Sequence, residues 1–163
     1  MNNALVLKWR PPLVGFWKIN TDAASYYKDR LIGLGVICRD RSGMVKLAAS
    51  QKMIAMVPPF VAEALAIKYG IQLACETCLV PLQIESDSLQ AMELVSKSNH
   101  SDADVGPIIV DISNVLKPLP SCSISYVPRK RNDAAHVLAK KALSVESDHR
   151  WIDFCPPYVE RIV

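Results

Sequence analysis

From Phe16 to Ala24 the chain alternates, with Trp17, Ile19, Thr21 and Ala23 on one face and Phe16, Lys18, Asn20 and Asp22 on the other. Period two predicts a β-strand. Leu31 to Arg39 is a second aliphatic run carrying Gly33 and Gly35, and Asp40-Arg41-Ser42-Gly43 is a turn cluster before a third run, Met44 to Ile54. Connections this short favour an antiparallel meander. Pro58-Pro59 ends that pattern, and Val61 to Leu79 reads as a helix, with Leu65, Tyr69 and Leu73 on one apolar stripe and Ala64, Ile67, Ile71 and Cys78 on another. A helix apolar on two sides is expected to be buried.

Pro81 to Glu85 reads as a short strand, and Ser86-Asp87-Ser88 supplies a cap for a helix from Leu89 to Lys97. A polar loop over Ser98–Asp104 precedes a helix from Val105 to Leu116. A last strand then alternates Cys122, Ile124 and Tyr126 with serines, and Asn132 is placed to cap a final helix reaching Ser144. The order βββαβα(α)βα predicts an α/β fold with a five-stranded mixed sheet, three antiparallel strands then two parallel, flanked by helices. Residues 1–15, with Pro11-Pro12, read as an arm or linker, residues 16–145 as the domain and residues 146–163 as a tail.

The 163 residues match about one domain of roughly 150. Half of them are hydrophobic and 21% charged, which is enough to bury a core, and a monomer is expected. The apolar runs are broken by Lys8, Lys52, Glu63, Lys68 and Glu76, well short of the roughly 20 residues of a membrane span. Ala4-Leu5-Val6-Leu7 stops at Lys8, too short for a signal peptide. The odd count of five cysteines points to free thiols. Secretion is therefore not expected, so Asn99-His100-Ser101 is a glycosylation pattern of no consequence; nucleus and cytoplasm both stay open. A net charge of +3 permits a nucleic-acid partner without demanding one.

Three acids have neighbours unlike those of a solvated surface. Asp22 lies near the end of the first strand before two alanines, Glu63 in the first turn of the apolar helix, and Asp87 just past the fourth strand. Strand ends and helix starts converge on one crevice in an open α/β sheet, so the three carboxylates can meet there. Clustered acids repel unless a cation joins them, and hard oxygen ligands suit Mg²⁺ or Mn²⁺, which support phosphodiester hydrolysis. Taken singly, Asp22 also fits a turn, Glu63 a helix-start charge and Asp87 an N-cap.

Five ordered segments carry a family resemblance: Lys18-Ile19-Asn20-Thr21-Asp22-Ala23-Ala24, Gly33 to Asp40, Ala62-Glu63-Ala64-Leu65-Ala66, Ile84-Glu85-Ser86-Asp87-Ser88 and Arg131-Asn132-Asp133-Ala134-Ala135-His136-Val137-Leu138-Ala139. Together they resemble the ribonuclease H-like domain of plant retroelement-derived proteins, and Trp151 with Pro156-Pro157 resembles the short tail of such domains. The resemblance implies two-metal cleavage of the RNA strand of an RNA·DNA hybrid. Asp22, Glu63 and Asp87 match the first three of four metal-binding acids, with Asp22 the bridge. Where the family pattern has the fourth acid, this chain has His136, a neutral ring that is a poor Mg²⁺ ligand and suits Mn²⁺ better. Asp133, one turn earlier, is the alternative ligand or else a helix-start charge. The resemblance also leads one to expect a loop histidine, and Val127–Asn132 has none; Lys97–Asp104 likewise lacks the charge of a basic protrusion.

Arg129, Lys130 and Arg131 are candidates to grip a phosphate backbone, with a solvated loop as the plainer reading. Cys75 and Cys78 lack a second ligand pair and read as core thiols. His100 and His149 are expected to face solvent, and Trp9, Trp17 and Trp151 to pack rather than stack on bases. The competing expectation to a nuclease is a domesticated binding or interaction module with little or no turnover.

Overall fold

A computed structural model of the chain describes residues 8–97, 105–119 and 121–163. Strands β1 (Trp17–Tyr26), β2 (Leu31–Arg39) and β3 (Val45–Ile54) form an antiparallel meander. There follow α1 (Pro59–Glu76), β4 (Leu82–Ser86), α2 (Leu89–Ser96), α3 (Gly106–Leu116), β5 (Ser123–Tyr126), α4 (Asp133–Ser144) and β6 (His149–Ile152). The sheet order is β5-β4-β1-β2-β3-β6, with β4 parallel to β1 and β5 parallel to β4. The predicted mixed sheet is therefore present. The predicted loop at Ser98–Asp104, with the Asn99-His100-Ser101 pattern and His100, lies outside the described residues.

The sheet has six strands rather than five. The added strand comes from the stretch read as a tail and pairs antiparallel with β3 from Leu47↔Ile152 to Ser50↔His149. Four largely exposed residues carry no period-two signal, so the sequence pattern did not mark it. Its register is held from outside the strand, since the Asp148 carboxylate accepts Lys52 N–H at 2.9 Å and Gln51 Nε2 at 3.2 Å.

The two sheet faces bury separate cores. Ile19, Leu34, Val36, Leu47 and Ile84 share one core with residues of α1 and α3, while Ile37, Ala48 and Val159 share the other with Ala135 and Leu138 of α4. Each fully buried Ile or Leu stabilises the fold by roughly 1.5–3 kcal/mol. Small residues set the distance of α4 from the sheet: a Cβ on Gly33 would lie 2.1 Å from the Ala139 carbonyl oxygen, and one on Gly35 2.1 Å from that of Ala135. The helix backbone thus lies directly on β2.

Helix α1 starts earlier and stops earlier than expected. Pro59 is tolerated at its start, where the missing N–H has no intrahelical partner to lose. At its end the Thr77 hydroxyl donates to the Leu73 carbonyl at 2.8 Å, and Cys78 turns the chain with φ +57°. Cys78 is consequently exposed, which corrects its reading as a core thiol, while Cys75 is half-buried. His149 faces solvent as expected, its ring stacked on Trp151 at 5.5 Å.

Candidate metal centre

Parallel pairing of β1 with β4 ends at Thr21↔Ser86, so Asp22 and Asp87 are the residues that directly follow the last pair. They flank the mouth of a crevice at the carboxyl end of two neighbouring strands. Strand β1 itself continues to Tyr26 because its other edge stays paired with β2, which places Asp22 in mid-strand rather than near its end. Opposite Asp22 stands Gly35, and the missing side chain there admits α4 with Asn132 and His136. Glu63 arrives from the other layer, on α1. Since that helix begins at Pro59, Glu63 lies past the first turn, where the helix dipole offers a carboxylate little.

The three carboxylates meet: Asp22, Glu63 and Asp87 each present an oxygen within 4.8 Å of the others. Asp22 is fully buried and the other two half-buried. Burial first, and the Asp22 carboxylate second, hold the Glu63 carboxyl far above the ordinary carboxylate range. The same two causes raise Asp87, opposed by the Arg129 guanidinium. Among the described residues, Asp22 Oδ1 and Glu63 Oε2 are buried without a hydrogen-bond partner. Unpaired buried acceptors of this kind are costly. A hard divalent cation is the ligand this donor set fits, since it would satisfy both oxygens and relieve the repulsion.

The other Asp22 oxygen is already engaged. Oδ2 lies 2.6 Å from His136 Nδ1 and accepts Arg129 Nη1 at 2.7 Å, while Arg129 Nε donates to Asp87 Oδ2 at 2.8 Å. His136 therefore reaches the acidic cluster, and Arg129, proposed from sequence as a phosphate grip, clamps two of its acids. Asp133 sits in the first turn of α4 and is outside the acidic group. Arg129, Lys130 and Arg131 form a short 3-10 turn before α4, with Lys130 exposed and Arg131 half-buried.

Sequence reasoning missed the support beneath this site. Asn132 holds the N-cap position of α4, yet its side chain makes no cap hydrogen bond. Instead Nδ2 donates to the Thr21 carbonyl at 2.9 Å and to Asp87 Oδ1 at 3.2 Å, and Oδ1 accepts from Asn20 at 3.2 Å. Asn20 also donates to Glu85 at 3.0 Å and accepts from Arg39 at 3.0 Å and from Trp9 at 3.1 Å. Lys18 pairs with Glu85 at 2.7 Å, and the Arg39 guanidinium lies 4.2 Å from the Trp9 ring centre. The available signal was the polar face Lys18, Asn20 and Asp22 on a strand too apolar opposite to be a surface.

Residues 20–142 match the model of the family described as reverse transcriptase-like. The chain belongs to that family. Solved structures place the same reverse transcriptase-like chain on the ribonuclease H fold. RNase H1 of Halobacterium salinarum superposes with a TM-score of 0.73 at 21% identity, over 80% of this chain and 98% of that one. LC11-RNase H1 in complex with RNA/DNA hybrid gives 0.69 at 18% identity, over 78% and 96%. The prototype foamy virus protease-reverse transcriptase gives 0.62 at 15% identity, over 80% of this chain and 21% of that one. No curated protein sequence matches the chain. The α/β architecture with antiparallel and parallel strands is thus a ribonuclease H-like fold carrying an acidic triad consistent with a divalent-metal site.

Proposed function

We propose that the protein is a divalent-metal-dependent endoribonuclease that hydrolyses the RNA strand of RNA·DNA hybrids. The observation that carries this reading is the buried, partly unpartnered triad of Asp22, Glu63 and Asp87 within 4.8 Å. These three side chains would hold Mg²⁺ or Mn²⁺. A cation so bound supplies an activated water and stabilisation of the leaving oxyanion. Asn132 orients Asp87 and ties it to the β1 backbone, which keeps the carboxylate in place without a rearrangement on binding. His136 holds Asp22 Oδ2, and the exposed Lys130 offers a phosphate of the substrate backbone its charge.

A second reading has one specific observation in its favour. With the Arg129 guanidinium on both Asp22 Oδ2 and Asp87 Oδ2, the cluster already carries internal counter-charge, as a hybrid-binding module with little turnover would tolerate. Hybrid cleavage by purified protein in Mg²⁺ and in Mn²⁺, beside Asp22→Asn, decides between the two. The nuclease reading expects metal-dependent cleavage lost by about 10²-fold or more in Asp22→Asn. Unchanged hybrid affinity in chelator, with no cleavage in either metal, would establish the binding module instead.

A further inference from the structure

We infer that Arg129 is a resident cation of the acidic site, so that the site takes one divalent ion and not two. This rests on the metal-dependent reading above and goes beyond it in assigning the number of ions and the role of a residue. The guanidinium bridges the two strands that form the crevice, with Nη1 on Asp22 Oδ2 at 2.7 Å and Nε on Asp87 Oδ2 at 2.8 Å. Planar, forked donors suit two carboxylates held side by side, and a guanidinium does not lose its charge in a protein.

The residue is pinned at both ends. Its carbonyl accepts the Asn132 N–H at 2.8 Å, while Asn132 also donates to Asp87 Oδ1 at 3.2 Å. The 3-10 turn that carries Arg129 is closed by Arg131 N–H on the Pro128 carbonyl at 2.8 Å. Head and backbone are thus tied to the same acids and to the helix start, while half of the Arg129 side chain stays open to solvent.

The oxygens divide accordingly. Asp22 Oδ2 and both Asp87 oxygens have protein donors, whereas Asp22 Oδ1 and Glu63 Oε2 have none. The open pair is where an ion gains ligands without displacing anything. A second ion would have to evict Arg129 or sit against it around a fully buried aspartate, beside the His136 ring.

The test counts Mn²⁺ bound per chain, by calorimetric titration and by electron paramagnetic resonance, in the full chain and in Arg129→Gln, Arg129→Lys and Asp22→Asn. One ion is expected in the wild type and in Arg129→Lys, and two in Arg129→Gln, where the Oδ2 pair is opened. Two ions in the wild type would overturn the inference, and so would a single ion of unchanged affinity in Arg129→Gln. A wild-type site that binds one ion, lost in Asp22→Asn, keeps the metal-dependent reading whatever Arg129→Gln does. Absence of any binding defeats both. A readout free of mutation is the Arg129 Nε–H resonance of the wild type. It should stay hydrogen-bonded at saturating Mg²⁺; release to a solvent-exposed position would show that the ion evicts the guanidinium.

Discussion

Glu63 carries the pH signature of the site. Burial and the neighbouring Asp22 carboxylate raise its proton affinity in the folded chain, so without metal the native state holds a proton that the unfolded state releases. Stability from this group is then fully present below the ordinary carboxylate range and is lost as pH rises. Asp87, raised for the same reasons, adds to the trend. In chelator, Glu63→Gln should flatten the decline in stability between about pH 5 and 8, by on the order of 1 kcal/mol, as read from denaturant unfolding at each pH. A parallel decline in both proteins would contradict the assignment. Mg²⁺ should correspondingly raise the wild-type melting temperature more at the upper end of that range. Asn132 is a different kind of residue, since nothing about it titrates. Asn132→Ala leaves the Thr21 carbonyl and one Asp87 oxygen without their donor, and a loss of about 1–3 kcal/mol is expected in equilibrium unfolding.

At the scale of elements, the close approach of α4 to β2 is what joins the two halves of the site. Asp22 and Asp87 follow from the register of β1 and β4, but Asn132, His136 and the Arg129 turn ride on or just before α4. Gly35→Ala would put a Cβ at 2.1 Å from the Ala135 carbonyl oxygen, a backbone atom that cannot rotate aside. The helix must lift, at a cost of about 1–3 kcal/mol. Thermal unfolding should record that loss, together with weakening of the His136–Asp22 contact seen as a changed imidazole chemical shift. An unperturbed melting temperature would mean that α4 sits less tightly than described. The alternation of β1 and the two glycines of β2 were visible in the sequence as a strand pair. That the glycines face a helix backbone was not, because a glycine's neighbours leave no mark on local periodicity.

For the molecule as a whole, β6 closes the outer edge of the meander. Val159 is fully buried beneath α4, and Trp151 packs edge-on against Tyr158 at 6.1 Å between ring centres. Ending the chain at Ser144 removes these contacts and bares the β3 edge, whose free N–H and C=O groups invite pairing with another chain. A loss of about 3 kcal/mol or more is expected in unfolding measurements, with concentration-dependent association visible in light scattering. A truncated chain that stays monomeric and melts as before would show β6 to be dispensable.

The amino-acid pattern by itself determined the order of elements as far as α4, the mixed sheet and the three acids, because period two, period 3.6 and turn chemistry are local and survive in the linear chain. The resemblance to ribonuclease H-like domains, and not the periodicity, marked His136 as the residue standing where an acid was expected. The sixth strand, the partition of the Asp22 oxygens and the Arg129 clamp came only with tertiary structure. Each depends on groups far apart in the chain: Asp22 meets Arg129 across 107 positions and His136 across 114. Whether a basic residue faces solvent or an acid is decided by which strands pair and how near a helix can lie, and local sequence encodes neither distance.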